Sequence, residues 1–299
     1  MLGNIAYPQI VCLEPFVFRE VDFPNILPGV SVYYNGDSGI DDKRVAGLLV
    51  GLEYKIDESY QEKYPNLKVV ASATTGVDHI VLPNTVKIIK LESHEVKAVS
   101  ATSEFAFGLL ISLVRKIPFS IHNPDNREVL QGIQLQGKTL GIIGFGRLGQ
   151  NMAQYAKAFL MNVITFDKAD NRSKLYQLLN ESDIISIHLP LSAETTGLIG
   201  LKEFQMMGKK PFVINTSRPP IISKEALLTA VKEEYIKGIA MDFQNYDCSK
   251  DIDQDLSSLP DDKVIFTPHI AGNTIESVKQ AATIVINKLA HFISKKGIT

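Results

Sequence analysis

A glycine-rich turn restricts the possible folds of this 299-residue chain more than any other feature. The pattern G-x-G-x-x-G occupies Gly144, Gly146 and Gly149. It stands between a strand predicted over Lys138–Ile143 and an amphipathic helix predicted over Arg147–Leu160. Gly144 suits a tight turn, Gly146 lets a phosphate approach the backbone, and Gly149 lets the helix pack closely on the strand. The turn therefore predicts a β–α–β unit whose helix N-terminus binds a dinucleotide.

An acidic residue after the next strand favours one dinucleotide over the other. The strand predicted over Val163–Asp167 ends 18 positions after Gly149, a spacing typical of the carboxylate that bonds a ribose 2′-hydroxyl. A carboxylate there repels a 2′-phosphate, so the pattern predicts NAD as the cofactor in preference to NADP. We interpret Lys168 and Arg172, which follow closely, as solvated surface charges. A glycine-rich turn without any ligand is the alternative.

Short apolar runs alternate with amphipathic segments along most of the chain. This alternation is typical of α/β proteins with parallel sheets. Helices are predicted over Asp57–Tyr64, over Lys224–Tyr235 with Ser223 as N-cap, and over about Ile275–Ser294. The other predicted strands are Gln9–Leu13, Val32–Tyr34, Gly47–Val50, Leu67–Ala71, Val86–Leu91, Ile184–His188, Phe212–Asn215, Gly238–Met241 and Val264–Phe266.

One predicted helix is apolar on nearly every side. It begins near Ser103, a possible N-cap, and continues through the apolar run Phe105–Val114. A helix of this kind must be covered on all sides, either in a domain core or at a subunit interface. A run of ten residues is too short to cross a membrane, so no membrane association is predicted.

Composition excludes several classes of protein. Hydrophobic residues make up 45% of the chain and charged residues 21%, which is ordinary for a globular protein. Lysine and arginine number 31 against 33 acidic residues, so no basic field predicts a nucleic-acid partner. Cys12 and Cys248 are too few for a disulfide framework, and no signal peptide is visible over Met1–Pro15. These features predict a cytoplasmic protein.

Five segments in a fixed order resemble the D-isomer-specific 2-hydroxyacid dehydrogenase family. The resemblance is strongest between Gly137 and Gly272 and includes the glycine-rich turn. The segments are Ser72–His79, His188–Ile199, Val213–Arg218, Gly238–Phe243 and Phe266–Gly272.

The resemblance implies a two-domain fold and an activity. The fold consists of two Rossmann-like, doubly wound parallel-sheet domains, with a cofactor domain (99–272) inserted in a split substrate domain (1–98 and 273–299). The implied activity is hydride transfer between NAD(H) and C2 of a small 2-hydroxy or 2-oxo acid. A homodimer formed through the cofactor domain is also implied.

The family's catalytic arginine, acid and histidine match three positions of this chain. Arg218 matches the arginine, which binds the substrate carboxylate and the polarised C2 oxygen through its planar fork of donors. His269 matches the histidine, whose near-neutral pKa suits proton exchange with that oxygen. The acid, usually glutamate 29 positions after the arginine, matches Asp247. Pro219 and Cys248 replace a glycine and a proline of the family pattern.

The resemblance also assigns contacts to substrate and cofactor. Thr75 and Gly76 would donate backbone N–H groups to the substrate carboxylate, and Tyr54 would lie near the substrate. Asp242 matches the position that bonds the nicotinamide amide. The residues matched to cofactor contacts are Gly144, Gly146, Arg147, Leu148, Gly149, Asp167, His188, Pro190, Thr195, Thr216, Ser217, Asp242 and Gly272.

Two alternatives to this function stay open at the level of sequence. One is a non-catalytic NAD-binding sensor or corepressor-like protein on the same fold. The other is an NAD enzyme acting on formate- or phosphite-like anions. The substrate is also open, because the loop Gly51–Lys55, which in the family contacts the C3 side chain of the substrate, gives mixed signals. Leu52 and Tyr54 favour an uncharged group at C3, Lys55 favours an anionic one, and Glu53 opposes a phosphate. Acidic residues at 251, 253 and 255 lack the rest of a calcium loop, so no metal site is predicted.

Overall fold

A computed structural model describes residues 7–96, 99–125, 127–243 and 253–296. Contacts divide the chain into two compact units. One, the split unit, comprises Met1–Val99 and Thr274–Thr299, and the other, the central unit, comprises Ser100–Asn273. Each unit has its own sheet, in which every described pair of strands is parallel. The predicted class, two doubly wound parallel-sheet α/β units, is confirmed.

The split unit is built on a five-stranded sheet. Its elements before residue 100 are β1 (Gln9–Cys12), α1 (Pro15–Phe18), α2 (Phe23–Ile26), β2 (Ser31–Tyr34), β3 (Val45–Val50), α3 (Glu58–Lys63), β4 (Val69–Ser72) and β5 (Lys87–Ile89). The strand order is β2-β1-β3-β4-β5, so the chain reverses direction across the sheet between β1 and β3. All residues of β1, β3 and β4 are buried, as expected for parallel strands covered on both faces.

The central unit is built on a six-stranded sheet. Its elements are α4 (Ala101–Val114), α5 (Ile117–His122), β6 (Thr139–Ile143), α6 (Arg147–Ala158), β7 (Asn162–Phe166), α7 (Arg172–Glu181), β8 (Ile184–Ile187), α8 (Leu201–Gln205), β9 (Phe212–Asn215), α9 (Lys224–Lys232), β10 (Gly238–Met241), α10 (Gln254–Ser257) and β11 (Val264–Phe266). The order β11-β10-β9-β8-β6-β7 places the reversal between β6 and β8. The second strand, β7, lies at one edge of this sheet, and β11 lies at the other.

The last helix returns to the split unit. This helix, α11 (Ile275–Lys296), packs against α1, α2, β4 and β5. Val285, Ile286 and Leu289 on its inner face are fully buried in the core of that unit. The core of the split unit is therefore completed by residues distant in sequence. No helix in the described part of the chain combines the length and the apolar character needed to cross a membrane.

The start of α4 differs from the prediction. The helix begins at Ala101 with Ser100 as its N-cap residue, so the assignment of Ser103 as N-cap is wrong. Ser103 lies one turn into the helix, is fully buried, and donates its hydroxyl to the Ser100 carbonyl oxygen at 2.7 Å. It also accepts from Asn151 Nδ2 at 3.0 Å. Because α4 packs against α6, β9 and β10, its apolar character serves the core of the central unit.

Leu289→Ala tests whether α11 is an integral part of the split unit. Removing this fully buried side chain is expected to cost about 2–5 kcal/mol of stability in that unit. Hydrogen exchange followed by mass spectrometry should show faster exchange in β4 and β5, whereas β6 and β8 keep their protection. The control is Asn287→Ala on the exposed face of the same helix, expected to change stability by less than about 0.5 kcal/mol. Equal loss of protection in both units would contradict this assignment.

Candidate functional site

The glycine turn after β6 is shaped by close contacts between backbone segments. Gly144 has φ +95°, in the left-handed region that glycine tolerates best. A Cβ at Gly144 would overlap the carbonyl oxygen of His188, and a Cβ at Gly149 would overlap that of Gly144. Two of the three motif glycines are therefore required by the packing of the turn against β8 and α6.

The third glycine leaves space open instead. Gly146 is the N-cap residue of α6 and makes no side-chain capping bond, and apart from its chain neighbours no described residue approaches within 4 Å of the position of a Cβ. The N-cap residue therefore offers no side chain to the first N–H groups of α6, at Arg147, Leu148 and Gly149, and helix N-termini of this kind bind phosphates. This open cradle at the reversal between β6 and β8 fits the pyrophosphate of a dinucleotide.

Asp167 directly follows β7. Its Oδ1 accepts from Lys168 N at 2.8 Å, and its own backbone N–H donates to Asp170 Oδ2 at 2.8 Å. Asp170 in turn pairs with Lys174 Nζ at 2.9 Å. These bonds fix the acid at the end of β7, at the same edge of the sheet as the glycine turn. Arg172, interpreted from sequence as a solvated charge, lies 3.7 Å from Glu203 and keeps 62% of its side chain exposed.

The ends of β8 and β9 carry polar atoms that the described residues leave unpaired. Burial lowers the pKa of the His188 imidazole to about 4, so this ring is neutral near pH 7. Its Nε2 bonds Ser186 Oγ at 2.8 Å, whereas its buried Nδ1 has no partner among the described residues. The hydroxyl of Thr216, also buried, likewise has none there. Two orphaned polar atoms at one edge of the sheet fit a polar cofactor.

The loop after β8 is held by its own hydrogen bonds. Thr195 Oγ1 donates to the carbonyl oxygen of Pro190 at 2.7 Å and accepts from Ser192 N at 2.8 Å. Ser192 Oγ donates to Glu194 at 2.6 Å. These contacts give the segment a defined turn directly after His188.

Arg218 is held by a compact set of bonds after β9. Asn215 is fully buried, accepts from Ser217 N at 3.0 Å and donates to the Arg218 carbonyl oxygen at 3.0 Å. Ser217 Oγ donates to the Ile187 carbonyl oxygen at 2.8 Å, which ties the loop to β8. Arg218 is extended (φ −144°, ψ 138°), the conformation favoured before a proline. Pro219 in place of glycine is thus compatible with this loop.

His269 lies in a turn that Asp242 organises. Asp242 follows β10, is fully buried, and accepts from Thr267 Oγ1 at 2.6 Å, Ile270 N at 2.9 Å and Ala271 N at 2.6 Å. Burial raises the pKa of its carboxyl, and these hydrogen bonds oppose that rise. His269 itself has φ +56°, a conformation that non-glycine residues rarely adopt. The Asp242 carboxylate therefore holds the strained turn that carries the histidine.

The predicted contact of Asp242 with the nicotinamide amide stays a prediction. Its carboxylate accepts three hydrogen bonds from the His269 turn, so a cofactor contact would have to be added to these. His269 packs beside Phe243, with ring centroids 4.8 Å apart. A Cβ at Gly272 would lie 3.7 Å from Thr102 Oγ1, and the predicted acid Asp247 lies outside the described residues.

The predicted substrate residues belong to the split unit. The turn after β4 is fixed by Thr74, whose hydroxyl donates to the Gly76 carbonyl oxygen at 2.6 Å and bonds Ser72 Oγ at 2.7 Å. Thr75 is exposed at the tip of this turn, and Tyr54 is half-buried against one of the unit's cores. Among the described residues, no cluster of histidine, cysteine or acidic side chains is suited to a metal ion. Asp253 and Asp255 pair with Lys224 at 2.8 and 2.7 Å.

Sequence reasoning missed three polar residues, of which Asn215 and Glu14 are buried. Asn215, Thr267 and Glu14 each follow or end a strand and hold a loop at the carboxyl edge of a sheet. The available signal was a polar residue directly after an apolar run. That signal marks the loops at which parallel sheets bind ligands.

Comparison with known proteins identifies the family. Residues 107–271 match the family described as "D-isomer specific 2-hydroxyacid dehydrogenase, NAD binding domain". A glyoxylate reductase of Thermofilum pendens is 32% identical over 263 residues, covering 81% of this chain and 76% of that protein. A D-3-phosphoglycerate dehydrogenase of Methanocaldococcus jannaschii is 33% identical, and the chain spans about half of its length (48%).

A solved structure supports the fold. The D-lactate dehydrogenase of Aquifex aeolicus, complexed with NAD and lactic acid, superposes with a TM-score of 0.76, covering 96% of each chain at 24% identity. Neither the glyoxylate reductase nor the D-3-phosphoglycerate dehydrogenase supports a non-catalytic sensor. The chain belongs to the D-isomer-specific 2-hydroxyacid dehydrogenase family, and it is an NAD-dependent oxidoreductase that transfers a hydride between NAD(H) and C2 of a 2-hydroxy or 2-oxo acid.

Proposed function

We propose that this enzyme interconverts a short 2-oxo acid and its D-2-hydroxy acid, with glyoxylate as the simplest 2-oxo substrate. One observation carries the proposal: the glycine turn, the Arg218 loop and the His269 turn follow β6, β9 and β11, at the carboxyl ends of the strands of one parallel sheet. The similarity to a glyoxylate reductase supports the choice of a small acid. In this proposal the central unit (predicted as 99–272) is the NAD-binding domain, and the split unit (1–98 and 273–299) is the substrate domain.

The central unit supplies groups that suit each part of NAD. Bound NAD(H) supplies or accepts the hydride at C2 of the acid. The N–H groups at Arg147, Leu148 and Gly149 would hold the pyrophosphate, because they lie at a helix N-terminus whose N-cap residue is a glycine. Asp167 would accept from a ribose hydroxyl. The other predicted contacts are His188, Pro190, Thr195, Thr216, Ser217, Asp242 and Gly272.

Arg218 and His269 would act directly on the substrate. The guanidinium of Arg218 is fixed near Ser217, with Nη1 donating to that residue's carbonyl oxygen at 2.9 Å. Its other donors would bind the carboxylate and the C2 oxygen, which stabilises the negative charge that develops there. His269 would protonate this oxygen on reduction and remove its proton on oxidation. Thr75 and Gly76 would add backbone donors to the carboxylate.

Asp247 is proposed as the acid behind His269. A carboxylate in that place favours the imidazolium form and fixes the orientation of the ring. The departure from glutamate shortens the side chain by one methylene.

We also propose a homodimer and a cytoplasmic location. Ile117 and Ile121 of α5 are 42% and 69% exposed, which leaves apolar surface beside α4 on the central unit. A second copy of the chain would cover this surface. The cytoplasmic location is supported by Cys12, which is buried as a free thiol.

Asp167→Ala tests the cofactor assignment. Loss of a hydrogen bond to a charged acceptor should weaken NADH binding about 10- to 100-fold, with a much smaller effect on NADPH. Isothermal titration with each cofactor measures this directly. The matched control, Glu181→Gln, removes one exposed charge from α7 and should leave both affinities unchanged. Unaltered NADH affinity in Asp167→Ala would show that this acid does not bind the ribose.

His269→Gln and Arg218→Lys test the catalytic assignment. Replacing the proton donor should lower kcat for glyoxylate about 100- to 10,000-fold. Replacing the planar fork with a single ammonium should raise KM for the acid. Steady-state NADH oxidation gives both values, and His291→Gln on the exposed face of α11 is the control for a histidine substitution. A kcat within threefold of wild type in His269→Gln would exclude this histidine as the acid–base group.

Light scattering at micromolar concentration tests the assembly. The homodimer predicts a mass of twice 33.1 kDa. Ile121→Asp should shift the protein towards monomer, since a buried unpaired charge opposes association. Thr283→Asp, on the exposed face of α11, should leave the mass unchanged. A wild-type monomer at this concentration would refute the dimer.

A further inference from the structure

The sheet of the split unit also has a reversal in strand order, which lies between β1 and β3. In open parallel sheets, ligands bind outside the carboxyl ends of the strands at such a reversal. In the central unit this position holds the open glycine turn. In the split unit the corresponding position lies between Glu14, two residues after β1, and the loop Gly51–Glu53, directly after β3.

The side chain of Glu14 occupies this position. Glu14 Oε1 accepts from Gly51 N at 2.8 Å and from Glu53 N at 3.0 Å, and Oε2 accepts from Leu52 N at 3.1 Å. Three successive backbone N–H groups of this kind form a concave anion-binding site, or nest. Gly51 permits the contact, because a Cβ there would overlap Oε2 of Glu14.

Glu14 is enclosed where it binds the nest. Only 6% of the residue is exposed. Burial raises the pKa of its carboxyl, the three N–H donors oppose that rise, and the nearby Glu53 adds to it. The nest is thus satisfied by an internal anion, and its donors are not available to a second one.

The nest lies beside the turn proposed to bind substrate. Ala73 N donates to the Val50 carbonyl oxygen at 3.0 Å, so the loop that begins at Gly51 starts next to the turn that contains Thr75 and Gly76. Glu14 and Glu53 bring two carboxylates to the nest. Lys55 is the one cation in the loop Gly51–Lys55, and it is exposed.

We propose that Glu14 determines substrate specificity by filling the anion nest beside the substrate turn, so that the enzyme accepts acids with an uncharged C3 substituent and rejects those with a second anionic group. This inference rests on the proposed function. The Glu14 carboxylate would repel a phosphate or carboxylate at C3 of the substrate. The N–H groups of the nest are already bonded to Glu14, so they cannot bind that second anion. This choice answers the question that the sequence of loop Gly51–Lys55 leaves open.

The first test compares two substrates that differ only in a phosphate: hydroxypyruvate and 3-phosphohydroxypyruvate. Wild-type kcat/KM should favour hydroxypyruvate at least about 100-fold. Glu14→Gln, which removes the charge and keeps the side-chain shape, should narrow that preference about tenfold or more. The control Glu58→Gln removes an exposed charge of the same unit, in the first turn of α3, and should leave the ratio unchanged.

Equal use of the two acids by the wild type would overturn the inference, even if the variants failed to fold. An unchanged ratio in Glu14→Gln would overturn it as well. Absence of turnover with glyoxylate and with both acids is a different outcome, because it contradicts the proposed function and leaves the nest to be tested by binding.

The second test measures the nest without catalysis. Glu14→Ala vacates the three donors, so acetate should raise the Tm of this variant and have no comparable effect on the wild type. If Glu14→Ala does not fold, the same comparison is made with Glu14→Ser, whose short side chain also leaves the three donors vacant. The same acetate-induced shift in variant and wild type would show that Glu14 does not occupy an anion site.

Discussion

The contact between the Gly144 turn and the backbone of His188 is the constraint on which the central unit depends. It places the ends of β6 and β8 so close together that a side chain at position 144 would collide with a carbonyl oxygen. His188 N also donates to the Ile143 carbonyl oxygen at 2.7 Å, which fixes the two strand ends in register. The open N-terminus of α6, the neutral His188 ring and the loop after β9 all take their positions from this pair of strands.

The two units use the same topological feature in opposite ways. In the central unit glycines keep the reversal between β6 and β8 open, so a ligand can reach the helix N-terminus. In the split unit a glycine admits the Glu14 side chain, which closes the reversal between β1 and β3. A buried carboxylate also holds a loop in each unit: Glu14 holds Gly51–Glu53, and Asp242 holds the His269 turn. Burying a carboxylate is costly unless it is hydrogen-bonded. Each of these two carboxylates accepts three hydrogen bonds.

The sequence predicts the elements well where one local rule decides. The strands Phe212–Asn215, Gly238–Met241 and Val264–Phe266 match their predicted bounds because continuous apolar runs end at turn residues. Ser223 caps α9 as predicted, accepting from Ala226 N at 3.4 Å. Ser100 precedes α4 and Ser103 lies one turn into it, and the choice between them as N-cap residue depends on which one faces the core, which is a tertiary property.

The site was predictable as motifs but not as a network of hydrogen bonds. Spacing predicts Arg218 and His269, yet the Arg218 loop is tied to β8 by the bond from Ser217 to Ile187, and the His269 turn is held by Asp242 after the neighbouring strand β10. Glu14 is paired with a loop 37 to 39 residues away. Such pairings depend on strand order, which the sequence does not state. The stereochemistry of the reaction tests the central claim most directly: NADH formation from D-glycerate and L-glycerate, measured with wild-type enzyme and excess NAD. We expect turnover of the D-isomer alone, and equal turnover of both isomers, or preference for the L-isomer, would contradict the assignment.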